Sequence, residues 1–141
     1  MDESAASPPP IFAGVHFWVS DMPASVAFYR ALGFDIAAGA EAAPFVQLRI
    51  ADGVEFAFGT HGLTSGYHAG FTPPVGRGST CLQFFLDSRV AVDTLHEKLK
   101  GAGYASHLAP FDAFWGARYA EVLDPDGHAV GFHSPRDPER E

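Results

Sequence analysis

The four-residue segment Asp124-Pro125-Asp126-Gly127 constrains the fold of this chain more than any other feature. Proline holds the second position of a turn near its required φ of about −65°, and glycine tolerates the positive φ that closes the turn. Strand-forming residues lie on both sides of the segment. The sequence therefore predicts a β-hairpin over residues 117–133.

The elements before this hairpin occur twice in the same order. Each copy begins with an alternating strand and a helix that a polar residue caps: Asp21 in the first copy, and Asp87 or Ser88 in the second. The predicted strands are residues 11–20, 34–38, 45–50 and 54–58 in the first copy, and 80–86, 104–108 and the 117–133 hairpin in the second. Two βαβββ units explain this order better than coincidence, so we expect an α+β fold.

Three segments lie outside the repeated units, which span residues 11–58 and 80–133. Residues 1–10 and 134–141 are expected to be tails, the first of them disordered. Residues 59–79 are rich in Gly and Pro and too long for an ordinary connection. They carry His61, Tyr67, His68 and Phe71, so the segment either contributes to a ligand site or only links the units.

The composition limits the kinds of binding partner and the cellular compartment that we expect for this chain. A hydrophobic content of 47% is enough for a globular core, whereas the net charge of −8 disfavours nucleic acid and anionic membranes. One cysteine, Cys81, leaves no internal disulfide framework. No apolar run approaches the roughly 20 residues of a membrane span, and the first residues lack the pattern of a signal peptide. We expect a cytoplasmic protein.

Two stretches carry a resemblance to a known family. Residues 19–21 with 28–34 in the first copy, and residues 115–132 in the second, resemble motifs of the vicinal oxygen chelate superfamily, which includes glyoxalase I, extradiol dioxygenases and bleomycin-resistance proteins. The resemblance covers residues 11–133. It implies that each βαβββ unit is a half-barrel and that paired units form a cup for a ligand, often across a homodimer.

The resemblance also places a metal site that this sequence does not support. Metal-dependent members hold a divalent ion with His and Glu from the first and last strands of the units. The corresponding positions here are Gly14, Cys81, Gly131 and either Phe56 or Ala57. None offers the carboxylate oxygen or imidazole nitrogen that such an ion prefers. We therefore expect no metal, no other cofactor and no catalytic residues.

Residues 104–124 look like the corresponding stretch of mitomycin- and bleomycin-resistance proteins, which bind a drug without metal in an aromatic-lined cleft at a dimer interface. The sequence is thus interpreted as a metal-free binding protein, rather than an enzyme, that sequesters an aromatic antibiotic or a related metabolite as a homodimer. The expected ligand-binding residues are Trp115, Phe111, Trp18, His16, Phe58, His107 and Arg118.

Several of these residues have an alternative structural role. Trp115 and Phe111 either stack on the ligand or close the end of the barrel, and Phe58 fits an ordinary core position better. His16 either binds ligand or is satisfied within the core. For Arg118, an internal salt bridge is favoured over a contact with the ligand.

Two other functions remain open. A displaced metal site on His16, Glu55 and His133 would make the protein a metal-dependent lyase, isomerase or dioxygenase. It requires a shift of two residues along two strands. Alternatively, the cup serves only dimer assembly or protein contacts.

Overall fold

The computed structural model describes residues 8–51, 53–73 and 80–140, with no side-chain detail at residues 49–51. Its α+β architecture matches the expected fold. The elements are β1 (Gly14–Val19), α1 (Met22–Leu32), β2 (Phe45–Ala51), β3 (Val54–Thr60), α2 (His61–Tyr67), β4 (Cys81–Phe85), α3 (Arg89–Gly101), β5 (Ser106–Asp112), β6 (Arg118–Leu123) and β7 (Ala129–His133). Within the described ranges, every helix is too short or too polar to traverse a membrane.

The strands form two sheets of the same design. The first has the order β1-β3-β2, and the second has the order β4-β7-β6-β5. In each, the first strand of the unit runs parallel to the last, β1 to β3 and β4 to β7, while the other neighbours are antiparallel. The predicted hairpin is confirmed as β6 and β7, with Gly127 at a φ of 85° in the turn.

The predicted strand at residues 34–38 is wrong, because these residues are not in a strand. The guanidinium of Arg30 donates to the carbonyl oxygens of Ile36 at 3.0 and 3.2 Å and of Ala37 at 2.7 Å. A side chain therefore supplies the partners that a neighbouring strand would have supplied. As a result the first sheet has three strands and the second has four.

Two further boundaries differ from the prediction. Strand β5 extends to Asp112, beyond the predicted end at residue 108, and its pairing with β6 shifts register twice, with Pro110 inside the second irregular interval. An edge strand with bulges accommodates a proline, which lacks an N–H group. The linker also contains helix α2, which Thr60 caps by accepting from the Leu63 N–H at 3.1 Å. Residues 74–79 of the linker lie outside the described ranges.

The predicted helix caps fit their positions. Asp21 accepts from the Ala24 N–H at 3.1 Å, and Ser88, rather than Asp87, accepts from the Ala91 N–H at 3.1 Å. Helices α1 and α3 pack on one face of the sheets, where the buried core includes Val26, Val92 and Leu99. Between the units, the ring of Phe34 contacts those of Phe56 at 6.0 Å and Phe84 at 5.7 Å.

The hairpin turn joins the two units through buried polar contacts. Asp124 is 5% exposed and accepts from the hydroxyl of Tyr29 in α1 at 2.7 Å. It also accepts from the ring Nδ1 of His128 at 2.7 Å, and from the N–H groups of Asp126 and His128 at 2.9 and 2.8 Å. Asp126 in turn accepts from the Ser20 hydroxyl at 2.6 Å. The turn thus fastens the second unit to the first.

This contact predicts a pH-dependent contribution to stability. The hydrogen bond to Asp124 raises the pKa of His128, although burial opposes it. The unfolded histidine has a pKa of about 6.5. The stabilisation is therefore complete below that value and lost as the pH rises through the raised folded pKa. We expect His128→Gln to cost more unfolding free energy at mildly acidic than at mildly alkaline pH, as measured by denaturant unfolding.

The natural protein must be compared with His128→Gln at each pH, because other histidines change the unfolding free energy with pH in the opposite direction. Burial lowers the pKa of His96 and His133, so their contributions are lost as the pH falls. Subtracting the unfolding free energy of the variant from that of the natural protein at each pH isolates the contribution of His128. A difference that stays constant or grows toward alkaline pH would contradict the assignment.

Candidate functional site

Successive strand residues point to opposite sides of a sheet, so each sheet has one face against α1 or α3 and a second face, which we call its open face. In β1, Phe17 and Val19 are buried in the core, whereas Trp18 is 43% exposed on the other side. Strand pairing defines the two open faces. The first open face comprises Gly14, His16, Trp18, Phe45, Gln47, Glu55, Ala57 and Gly59; the second open face comprises Cys81, Gln83, Phe85, Tyr119, Glu121, Gly131 and His133.

The first open face holds a cavity of about 280 Å³. Its floor includes His16 and Trp18 from β1, and α2 contributes Leu63, Thr64 and Tyr67 as a wall. The linker therefore helps to build this cavity and is more than a passive connection. Tyr67 is 73% exposed, which leaves its ring available at the rim.

Polar groups on the first open face are few. The amide of Gln47 donates to the carboxylate of Glu55 at 2.6 Å. The ring of His16 lies edge-on to Phe45, with centroids 5.6 Å apart. His16 and Glu55 thus share this face, although each has its own neighbour.

The second open face carries a connected chain of hydrogen bonds. His133 pairs through Nε2 with the Gln83 side-chain oxygen. The Gln83 amide donates to the hydroxyl of Tyr119 at 3.1 Å and to the sulfur of Cys81 at 3.0 Å. Tyr119 donates to Glu121 at 2.5 Å. The other oxygen of Glu121 pairs with Nδ1 of His107 at 2.8 Å.

Three members of this chain, Tyr119, Cys81 and His133, have pKa values shifted toward their uncharged forms. Burial, then the hydrogen bond to Glu121, raises the pKa of Tyr119. Burial and the charge of Glu121 likewise raise the pKa of Cys81, so a thiol and not a reactive thiolate is present at neutral pH. Burial lowers the pKa of His133. The arrangement suits binding better than nucleophilic chemistry.

Aromatic rings surround this polar chain. Trp115 contacts Tyr119 with ring centroids 5.5 Å apart, His133 at 6.0 Å and Phe111 at 6.4 Å. The ring of Phe85 lies 5.6 Å from that of His133 and is 82% exposed. The indole N–H of Trp115 is buried and has no hydrogen-bond partner among the described residues. Exposed and half-buried rings thus form a wall beside a single carboxylate.

The residues at the superfamily's metal positions do not fit a metal. A Cβ added to Gly14 would overlap the carbonyl oxygen of Glu55 and lie 2.8 Å from its carbonyl carbon, so no side chain fits there. A Cβ added to Gly131 would overlap the hydroxyl of Tyr119 and lie 2.9 Å from the side-chain oxygen of Gln83. In the described ranges, no three His, Cys, Asp or Glu residues are grouped closely enough for a metal ion.

The structure divides the predicted site residues among four places. His16 and Trp18 lie on the first open face, whereas Trp115, Phe111 and His107 lie at the second. Phe58 is fully buried and stacks on Tyr29 at 4.7 Å, so it belongs to the core and not to the site.

Arg118 points away from both open faces. Its guanidinium pairs with Asp93 of α3 at 2.9 Å and with Asp112 of β5 at 3.3 Å, and these contacts raise its pKa. The structure therefore gives it the salt-bridge role that the sequence favoured. The three residues of the displaced metal site are also separated, since His16 and Glu55 belong to the first sheet and His133 to the second.

The sequence prediction missed Gln83, Tyr119 and Glu121, which form the centre of the second open face. A signal for two of them was present. Residues 118–123 alternate, which puts Tyr119 and Glu121 on the same side of β6, opposite His133 and Gly131 of β7. Applying the alternation of β1 to β6 would have found them.

Comparisons with known proteins agree on the fold. Residues 11–132 match the model of the Glyoxalase/Bleomycin resistance protein/Dioxygenase superfamily. A glyoxalase-related enzyme from Fulvimarina pelagi has a TM-score of 0.74 at 21% identity, with 89% of this chain and 88% of that one covered. A glyoxalase/bleomycin resistance protein/dioxygenase family enzyme from Burkholderia phytofirmans has a TM-score of 0.72 at 24% identity, with 86% of this chain and 96% of that one covered.

Lactoylglutathione lyase from Agrobacterium tumefaciens is also similar, with a TM-score of 0.64 at 18% identity over 91% of this chain and 96% of that one. At such low identities the likeness establishes the fold alone. No curated protein matches the chain.

Proposed function

Because this chain belongs to the Glyoxalase/Bleomycin resistance protein/Dioxygenase superfamily, we propose that it is a metal-free binding protein for a planar aromatic small molecule. The observation that carries the proposal is the second open face, where aromatic rings surround a hydrogen-bonded polar chain and the metal position is a glycine. Offset stacking on such rings adds about 0.5–1.5 kcal/mol per ring pair beyond area burial. The resemblance of residues 104–124 to mitomycin- and bleomycin-resistance proteins makes an aromatic antibiotic, or a related metabolite, the ligand we expect.

The runner-up, a metal-dependent enzyme on His16, Glu55 and His133, has less support. These residues lie on two different sheets, and His133 pairs with Gln83 instead of approaching the other two. A shared site would need a second copy of the chain to bring the open faces together. The fluorescence experiment described below, with EDTA and with added Zn²⁺ or Ni²⁺, decides between the two functions.

We propose that the protein works as a homodimer, with the ligand held in an aromatic-lined cup where the open faces of the two copies meet. Large apolar side chains are exposed on both: Trp18 at 43% and Phe45 at 37% on the first, and Phe85 at 82% on the second, with Phe111 at 38% beside it. Exposed patches of this kind mark interaction sites. Light scattering should give a mass near twice the chain's 15.1 kDa.

A pair of variants tests the surface involved. Phe85→Ser should weaken the dimer, whereas Val90→Ser should not, since Val90 is 71% exposed but lies on α3 away from the open faces. A mass near that of one chain at micromolar concentration, or equal effects of the two variants, would count against this dimer.

Ligand binding can be read from the two tryptophans, because Trp18 reports on the first open face and Trp115 on the second. We expect mitomycin C or bleomycin to quench the fluorescence of the Trp18→Phe protein, which retains Trp115, in a saturable way. The quenching should persist after treatment with EDTA. Trp115→Ala should weaken binding by roughly 1–3 kcal/mol, the range of anchor aromatics.

The Trp115→Phe protein is the matched control, since it retains Trp18 and keeps an aromatic ring at the second face. Two results would overturn the proposal. One is the absence of quenching of either tryptophan by any planar aromatic compound. The other is binding that EDTA abolishes and that Zn²⁺ or Ni²⁺ restores, which would favour the metal-dependent runner-up.

A further inference from the structure

The second open face has one negative charge and no lysine or arginine among its residues. The carboxylate of Glu121 lies at its centre, with a side-chain exposure of 15%. The neighbouring arginines are engaged elsewhere. Arg118 pairs with Asp93 and Asp112, and Arg89 pairs with Asp112 and donates to the carbonyl oxygen of Gly116 at 3.4 Å. Arg136 donates through Nε to the carbonyl oxygen of Trp115 at 3.0 Å.

The charge of Glu121 acts on two neighbouring side chains of this face. Besides burial, the charge of Glu121 contributes to the raised pKa of Cys81 and to that of Tyr119. A second negative charge is therefore disfavoured at this place, and an anionic ligand would meet the same penalty. A positive charge would gain from it.

Glu121 keeps the capacity to bind a further donor. One of its oxygens accepts from Tyr119 at 2.5 Å, and the other pairs with His107 at 2.8 Å. A carboxylate has about four lone-pair positions, so each oxygen can accept again. The rings of Trp115 and Tyr119 lie 5.5 Å apart beside it, and aromatic faces attract cations through their quadrupoles.

We propose that the second open face selects aromatic cations, with the planar rings of the ligand stacked among Phe85, Phe111 and Trp115 and its ammonium or ring-nitrogen charge directed at Glu121. This inference rests on the proposed function and adds the charge of the ligand and the face that recognises it. The overall net charge of −8 also favours the approach of such a ligand.

Three acridines of equal ring size test the inference: 10-methylacridinium is a permanent cation, acridine is neutral at neutral pH, and acridine-9-carboxylate is an anion. Titrations followed by acridine fluorescence should rank the cation first, with about a tenfold preference over the neutral ring. The preference should shrink as salt is added, because the carboxylate is partly exposed.

Glu121→Gln keeps an oxygen for Tyr119 and should bring the preference close to one while the neutral acridine still binds. Glu55→Gln, on the first open face, is the matched control and should leave the preference unchanged. If all three acridines bind equally, if Glu121→Gln keeps the preference, or if Glu55→Gln removes it, the inference is wrong although binding stands. If no acridine binds, the proposed function itself loses its support. Should Glu121→Gln fail to fold, the ranking and its salt dependence in the natural protein decide.

Discussion

Replacing Gly14 by alanine is expected to lower the free energy of unfolding by roughly 2–6 kcal/mol. The added methyl group would overlap the carbonyl oxygen of Glu55 in the neighbouring strand and lie 2.8 Å from its backbone nitrogen, and Gly14 has a φ of 154°. Neither conflict can be relieved by rotating a side chain, because both involve the backbone. Strand β1 would have to separate from β3, which it pairs along its whole length.

The matched control is Gly59→Ala in the adjacent strand β3. A methyl group there meets nothing closer than 3.7 Å, and alanine is about 0.5–1 kcal/mol better than glycine inside a strand. We expect this variant to be as stable as the natural protein or slightly more so in denaturant unfolding. Similar losses in the two variants would show that the close approach at Gly14 is not the cause. Confirmation would mean that no histidine could ever occupy this superfamily ligand position in the present backbone.

Replacing Asp124 by alanine is expected to cost about 3–5 kcal/mol of unfolding free energy, the range for removing one partner of a buried charged pair. The change leaves the hydroxyl of Tyr29, two backbone N–H groups and the ring N–H of His128 without their acceptor. Unpaired buried donors carry the full cost of their desolvation. Because the contact joins α1 to the hairpin turn, the two units should also become less cooperative.

The control is Asp126→Ala, two residues along the same turn. Asp126 accepts mainly from the exposed Ser20 at 2.6 and 3.1 Å, so its loss should cost only about 0.5–1.5 kcal/mol. Denaturant unfolding followed by circular dichroism and by tryptophan fluorescence gives both the stability and the coincidence of the two transitions. An Asp124→Ala loss no larger than that of Asp126→Ala would contradict the central role of Asp124.

The features that sequence predicted well depend on local chemistry. The Asp124–Gly127 turn, the capping residue Asp21 and the alternation of β1 are each encoded within a few neighbouring residues. The assignment of His16 and Trp18 to one face follows from that alternation. Core positions such as Phe58 were less certain from sequence, since an aromatic residue suits either side of a strand, and the structure places it against Tyr29.

The features that sequence missed depend on distant partners. Residues 34–38 include the strand formers Phe34 and Ile36, yet Arg30 on the preceding helix donates hydrogen bonds to the carbonyl groups of Ile36 and Ala37. The extent of β5 depends on where β6 places Arg118 and Tyr119 opposite it. The hydrogen-bonded chain on the second open face joins residues from four strands, β4 to β7, and no spacing along the sequence brings them together.

The alternation of each strand has a consequence for how this protein can change over generations. In β4, Leu82 and Phe84 pack against the core, whereas Gln83 and Phe85 face outward, and Phe85 is 82% exposed. Mutations on the outward side can therefore alter what the protein recognises at little expense in folding. A lineage under pressure from new compounds could revise its specificity one exposed ring at a time, while the buried half of the same strands stays fixed.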